Sequence, residues 1–149
     1  MTIAYVGLGA NLGDREATIR EAAALIGARR LSQIVETEPW GLAEQPPFLN
    51  AVAEVDAVLG PEELLAALLD VEQRLGRVRT GPRWGPRTIG LDLLLYGALE
   101  LAGPRLTVPH PHLHERLFVL EPLLELAPGL VVPGRGPVAA LAAALHSGS

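Results

Sequence analysis

An α+β fold built on an antiparallel sheet is what this chain predicts, on three observations. Over the first two-thirds of its 149 residues, apolar stretches of two periodicities follow the order strand, helix, strand, strand, helix, strand. One of them, "FLNAVAEVDAV", has strand period, with Leu49, Ala51, Ala53, Val55 and Ala57 forming one apolar face and Phe48, Asn50, Val52, Glu54 and Asp56 on the other. No repeat or long linker interrupts the series, so one domain spanning residues 1–149 is expected. The order is the ferredoxin-like split βαβ pattern, a βαββαβ core with helices packed on one face of the sheet.

The elements can be justified in turn. "TIAYVGLG" is an apolar strand, and Asp14 can cap a helix in which Ile19, Ala22, Ala23 and Ile26 recur at helical spacing. "LSQIVETE" reads as a second strand, followed by a loop with Pro39, Pro46 and Pro47. After the strand at Phe48, Pro61 suits the first turn of a helix, and Glu62 and Glu63 complement its dipole. Leu64, Leu68, Val71 and Leu75 form its buried stripe, and Gly76 stops it. "LDLLLY" is the last core strand, turning at Gly97 into a proline-rich passage, "GPRLTVPHPH". Beyond the core come a helical segment, "ERLFVLEPLLELA", interrupted by Pro122, a brief strand, "LVV", and a C-terminal helix after Pro137.

Composition narrows the function. There is no cysteine, which removes disulfides and thiolate zinc sites. No stretch reaches membrane-spanning length and the N-terminus is not a signal peptide, so a cytoplasmic protein with no membrane partner is expected. The net charge of -5 argues against a nucleic-acid partner. All 12 basic residues are arginine, and five of them (Arg74, Arg77, Arg79, Arg83 and Arg87) fall within fourteen residues, with no acid between Glu72 and Asp92. The guanidinium is a rigid fork that pairs with phosphate oxygens, although a solvated basic loop would look the same. The missing lysine excludes a P-loop.

Three further motifs need weighing. "GLGANLG" has its glycines at G-x-G-x-x-x-G, with Leu12 where a dinucleotide fingerprint needs its third glycine, so a tight strand-to-helix turn is the better reading. "HPHLH" offers His110, His112 and His114, but Pro109 and Pro111 imply an extended loop that splays alternate side chains rather than a converging metal site. A single histidine facing a phosphate is more natural. Glu72 is either a solvated helix glutamate or a functional group standing just before the arginine loop. After that loop, "RWGPRTIGLDLLLY" delivers one carboxylate, Asp92, onto a strand, with Gly90 on the same face two residues earlier.

"RWGPRTIGLDLLLY" resembles the signature of the 6-hydroxymethyl-7,8-dihydropterin pyrophosphokinases, in which W-G-P-R precedes an Asp-x-Asp strand. "GLGANLGD", "TEPWGLAEQPPFLNAV" and "RLTVPHPHLHERLFVLEPL" resemble that family too, in the same order. The resemblance implies a folate-pathway enzyme that moves pyrophosphate from ATP to the hydroxymethyl oxygen of a reduced pterin and releases AMP. It implies two magnesium ions as cofactors, with Asp92 as a metal ligand and Gly90 where the family places the partner aspartate. By the same resemblance Arg77, Arg79, Arg87, His110 and Arg116 contact the triphosphate, Thr107 contacts the nucleotide, and Glu72 sits on the ATP side where the two substrate sites meet. Arg79, Arg87, Asp92 and His110 form the catalytic set. Phe48 and Phe118 stack the pterin, Asn50 hydrogen-bonds it, Thr37 lines the wall, and Trp84 belongs to a lid, the loop from about residue 77 to 87, that orders over ATP. The sequence implies no oligomeric state, and a monomer suffices. Two alternatives remain: a family member whose Gly90 leaves it binding ATP and pterin with impaired catalysis, and an RNA-binding ferredoxin-like domain, for which 4% aromatic residues is poor support.

Overall fold

A computed structural model describes residues 2–37, 46–76 and 88–147. Among these the chain runs β1 (Thr2–Ala10), α1 (Arg15–Leu25), β2 (Ala28–Leu31), β3 (Val35–Thr37), β4 (Phe48–Ala57), α2 (Pro61–Arg74) and β5 (Gly90–Tyr96). It continues through β6 (Leu101–Ala102), β7 (Thr107–Val108), a short 3-10 turn (Leu113–Glu115), α3 (Leu117–Leu126), β8 (Val131–Val132), β9 (Gly136–Pro137) and α4 (Val138–Ser147). The main sheet has the order β2-β4-β1-β5, every pair antiparallel, with β3 also on β4. This is the βαββαβ order and strand arrangement expected of the ferredoxin-like core.

Local chemistry accounts for the boundaries. Asp14 caps α1 by accepting from the Ala17 N–H at 3.2 Å. Pro61 opens α2, and Gly76 takes the left-handed conformation (φ 87°) that closes it. The stretch "LSQIVETE" does not form one strand. Ser32 breaks it: its hydroxyl accepts the Val52 N–H at 2.9 Å, in place of a backbone carbonyl. Pairing then slips by one residue between Leu31↔Ala53 and Val35↔Asn50. A second irregularity lies in β5, where Tyr5 pairs with Leu95 and Val6 with Leu93. Leu94 and Leu95 therefore both turn toward the same core.

The sheet is covered on both faces, not one. The side carrying Ala51, Ala53, Val55, Leu91 and Leu93 packs against Ile19, Ala22, Leu64, Leu68 and Val71 of α1 and α2. The opposite side, carrying Tyr5, Val52, Leu94 and Leu95, meets Val119, Leu120 and Leu123 of α3 and Val138 and Ala142 of α4. The C-terminal helices are thus a second layer rather than an appendage. Nor does Pro122 interrupt its helix; α3 runs through it with the ring buried, although Pro122 has no N–H to offer the Phe118 carbonyl.

Beneath α3 lies a charged cluster. The buried Glu54 carboxylate receives both forks of Arg30 at 2.9 and 2.7 Å and the Tyr5 hydroxyl at 3.0 Å. Arg30 also donates to the carbonyl of Leu126 at the end of α3, and Arg29 pairs with Glu54 and Asp56 at 3.3 and 3.0 Å. The Arg30 bond is the main cause holding the Glu54 carboxyl below its usual range. Burial, reinforced by Glu54, pushes the Tyr5 hydroxyl up to about 12.

Candidate active site

The site is laid out by register across the sheet. Val35, Asn50, Gly9 and Gly90 stand opposite one another in a row on four neighbouring strands, and Val52, Gly7 and Asp92 form the next. Cross-strand partners share a face. The face toward α3 is therefore low at Gly9, Gly7 and Gly90, between Asn50 and the exposed Asp92, with the Leu94 side chain lying over Gly7 and that of Asn50 over Gly9. A Cβ on Gly9 would stand 3.0 Å from Asn50 Oδ1, so that any other residue would press the asparagine aside by a few tenths of an ångström. Asn50 itself is held by donating from Nδ2 to Thr37 Oγ1 at 2.6 Å. Above this floor is a cleft of about 550 Å³, walled by Phe48, Thr37 and Glu36 on one side and by Arg116, Phe118 and Pro122 on the other. The Arg116 guanidinium lies 5.7 Å from the Phe118 ring centroid.

The start of α1 fixes one edge of this cleft. The buried Asn11 donates to the carbonyl of Pro46 at 2.9 Å, and Arg15 to that of Pro47 at 2.8 Å, setting the chain just before Phe48. "GLGANLG" is thus more than a tight turn: two of its glycines clear the floor and its asparagine anchors the opposite loop. Sequence reasoning missed Gly7, Gly9 and Asn11 as site residues. The available signal was two glycines at strand period two, which empties one face of a strand.

At the Asp92 end stands His110. Its backbone N–H donates to the Leu94 carbonyl at 2.9 Å, and its Nδ1 accepts the His112 N–H at 3.1 Å. The neutral ring therefore carries its proton on Nε2. Burial is the largest influence on His110 and lowers its pKa; Arg116 and His112 add to that, while Asp92 opposes it. The "HPHLH" stretch is not extended. It folds into a turn and the 3-10 helix, which brings the His110 and His112 ring centroids to 6.0 Å rather than splaying them. His112 Nδ1 meets Glu115 at 3.0 Å. Among the described residues no group of three or more histidine, aspartate or glutamate side chains is placed to hold a metal ion.

Of the residues singled out in the sequence, Thr37, Phe48, Asn50, Asp92, Arg116 and Phe118 line one cleft, together with Gly90. His110 couples electrostatically to Asp92 and Arg116 without lining it. Thr107 is exposed on β7, outside the lining set. Glu72 is not a solvated helix residue: it is 1% exposed and accepts the backbone N–H of Leu91 at 2.7 Å. Arg77, Arg79, Trp84 and Arg87, with the whole lid expectation, lie outside the described residues.

The model of the 7,8-dihydro-6-hydroxymethylpterin-pyrophosphokinase family matches residues 5–128. Several curated relatives are named 2-amino-4-hydroxy-6-hydroxymethyldihydropteridine pyrophosphokinase. The one from Pseudomonas aeruginosa is 47% identical over 137 residues, 87% of this chain and 83% of the relative. Those from Bacillus subtilis and Methylorubrum extorquens are each 45% identical, over 83% and 95% of this chain and 77% and 93% of their own lengths. Among solved structures, one described as HPPK-DHPS in complex with substrates superposes with a TM-score of 0.76 over 99% of this chain, at 13% identity. Wild-type Plasmodium falciparum HPPK-DHPS with SDX-DHP gives 0.72, also over 99% of this chain and at 13% identity. This chain spans 46% and 44% of those two solved chains, and at such identity the likeness speaks for the fold alone. The resemblance read from four sequence motifs is confirmed over most of the chain, and with it the family: this chain belongs to the 7,8-dihydro-6-hydroxymethylpterin-pyrophosphokinases.

Proposed function

We propose that the chain, acting as a single domain, transfers pyrophosphate from ATP to the hydroxymethyl oxygen of 6-hydroxymethyl-7,8-dihydropterin at the cleft between the sheet and α3. The hydroxymethyl oxygen attacks the β-phosphorus, the bond to the α-phosphate oxygen breaks, AMP leaves, and the hydroxyl proton goes to solvent. The observation that carries this reading is the cleft lined by Gly7, Gly9 and Gly90, flanked by two aromatic residues and opening onto Asp92. A planar bicyclic ring fits such a slot between Phe48 and Phe118, with Asn50 reading its polar edge.

Transfers of this kind need positioning and charge stabilisation more than covalent help from the protein. Arg116, at the mouth of the cleft, and the His110 Nε2–H are donors for phosphate oxygens, and Thr107 contacts the nucleotide beyond them. By the family resemblance Arg77, Arg79 and Arg87 add charge to the same group and Trp84 belongs to a lid, all four lying outside the described residues. Magnesium, two ions in the family resemblance, would be held here by Asp92, with Gly90 offering no second carboxylate beside it. This arrangement fits an ion that keeps several waters and binds through one or two carboxylates and substrate phosphates. When bound, the metal neutralises charge on the phosphate oxygens.

The comparisons lend no support to an RNA-binding role or to a member with impaired catalysis. The test is AMP release from ATP, dependent on added dihydropterin and followed across a magnesium series. ATP bound with no AMP formed at any magnesium concentration would contradict the assignment.

A further inference from the structure

We infer that Glu72 is a positioning residue for this reaction: it takes the outward backbone N–H of Leu91 and thereby holds the strand segment that presents Asp92. This rests on the functional reading above only in that Asp92 belongs to the reaction. The resemblance puts Glu72 on the ATP side, whereas its geometry points to a role exercised through the strand.

β5 is an edge of the main sheet. Along it Gly90, Leu91 and Asp92 pair with Gly9, Leu8 and Gly7. In an antiparallel ladder alternate residues turn their N–H toward the neighbour and away from it. The Leu91 N–H points away and would be orphaned at the edge, in a strand whose Leu91 side chain is buried. Glu72 Oε2 meets it at 2.7 Å from the last turn of α2, on the same helix face as the buried Leu68 and Val71. A buried N–H without such an acceptor is unfavourable enough to pull the segment out of register.

The segment has particular need of that anchor. Its ladder is short, running from Gly90 to the register break at Tyr5/Val6. Three residues of these pairs are glycines (Gly7, Gly9 and Gly90), and glycine weakens a strand interior because it has most conformational freedom to lose. The features that clear the floor therefore soften the strand on which Asp92 stands. Glu72 compensates from behind, by tying the peptide next to Asp92 to a packed helix.

The test compares Glu72→Asp and Glu72→Gln with the parent protein. Aspartate is one methylene shorter and cannot reach Leu91, whereas the glutamine oxygen can. In Glu72→Asp the Leu91 amide should exchange with solvent roughly tenfold faster or more, read by NMR, while amides of the β1·β4 pair keep their protection. Turnover should fall about tenfold or more, with affinities for a non-hydrolysable ATP analogue and for the pterin changing by less than about threefold. Glu72→Gln should recover most of both losses. Should Glu72→Asp fail to fold, Glu72→Gln decides alone: protected Leu91 with near-parental turnover supports the anchor, and protected Leu91 with lost turnover overturns it. Unchanged Leu91 exchange in Glu72→Asp, or a loss of analogue affinity matching the loss of turnover in both variants, would show that Glu72 acts on the nucleotide directly. A parent protein that releases no AMP would refute the pyrophosphokinase reading, while the exchange measurement would still judge the anchor.

Discussion

A methyl group on Gly9 would stand 3.0 Å from Asn50 Oδ1, closer than carbon and oxygen sit without displacement. Gly9→Ala should therefore turn Asn50 away from Thr37 and weaken pterin binding by about 1–3 kcal/mol, the usual cost of overpacking a filled site. Calorimetric titration with the pterin checks this, and unchanged affinity would mean that Asn50 does not read the ring. Phe48→Ala should cost the pterin a similar ~1–3 kcal/mol through lost stacking and burial, with ATP affinity little changed. Equal weakening of both ligands would show that the division of the cleft is wrong. Gly90 invites the opposite experiment, since a carboxylate there would share a face with Asp92 two residues on. At an effective dielectric near 20, a unit charge pair about 4 Å apart is worth roughly 4 kcal/mol before desolvation, so a second carboxylate should add real affinity for a dipositive ion. Gly90→Asp is expected to raise turnover and lower the magnesium concentration needed for half-maximal rate. No change in either would mean that another group already completes the metal site.

At the scale of elements, α3 is both a core helix and a cleft wall, and its far end is tied to the sheet by Arg30 and Glu54. Two pH limbs follow. The folded-state pKa of Glu54 is lowered, so its contribution is present above the ordinary carboxylate value of 4.5 and disappears as pH falls below it. The pKa of Tyr5 is raised from 10.0 to about 12, so its contribution is complete below 10.0 and is lost as pH climbs toward 12. Urea unfolding across pH should show both losses, with Glu54→Gln flattening the acid limb and Tyr5→Phe the alkaline one. The two cores can also be told apart. Leu68 and Leu120 are both fully buried, and truncating either to alanine should cost about 2–5 kcal/mol of stability. Only Leu120→Ala should also raise the KM for pterin, because only Leu120 supports the helix carrying Phe118. A matching rise in Leu68→Ala would mean that the sheet transmits strain between its faces.

Over the whole molecule, what could be read in advance was what depends on neighbours in sequence. The strands and helices of the core follow from periods of two and 3.6, and Asp14, Pro61 and Gly76 mark their ends through local backbone chemistry. The break at Ser32 was not legible, because its cause is a hydroxyl bonding to Val52 on another strand. The burial of Glu72 was hidden for the same reason, since its partner Leu91 is an edge-strand amide nineteen residues away. The second helical layer was misjudged because α3 is apolar nearly all round, so its sequence marks no single buried side. Of the cleft, the motifs named Phe48, Asn50, Asp92 and Phe118, but Gly7 and Gly9 between them have no side chain and so carry no chemical signature. That floor has a consequence for inhibition. A flat compound lying over Gly7 and Gly9 meets the Leu94 and Asn50 side chains as well as main chain. One route to resistance is added bulk, and added bulk at Gly9 displaces the asparagine that the natural substrate needs. Escape by that route would then be escape from the substrate as well.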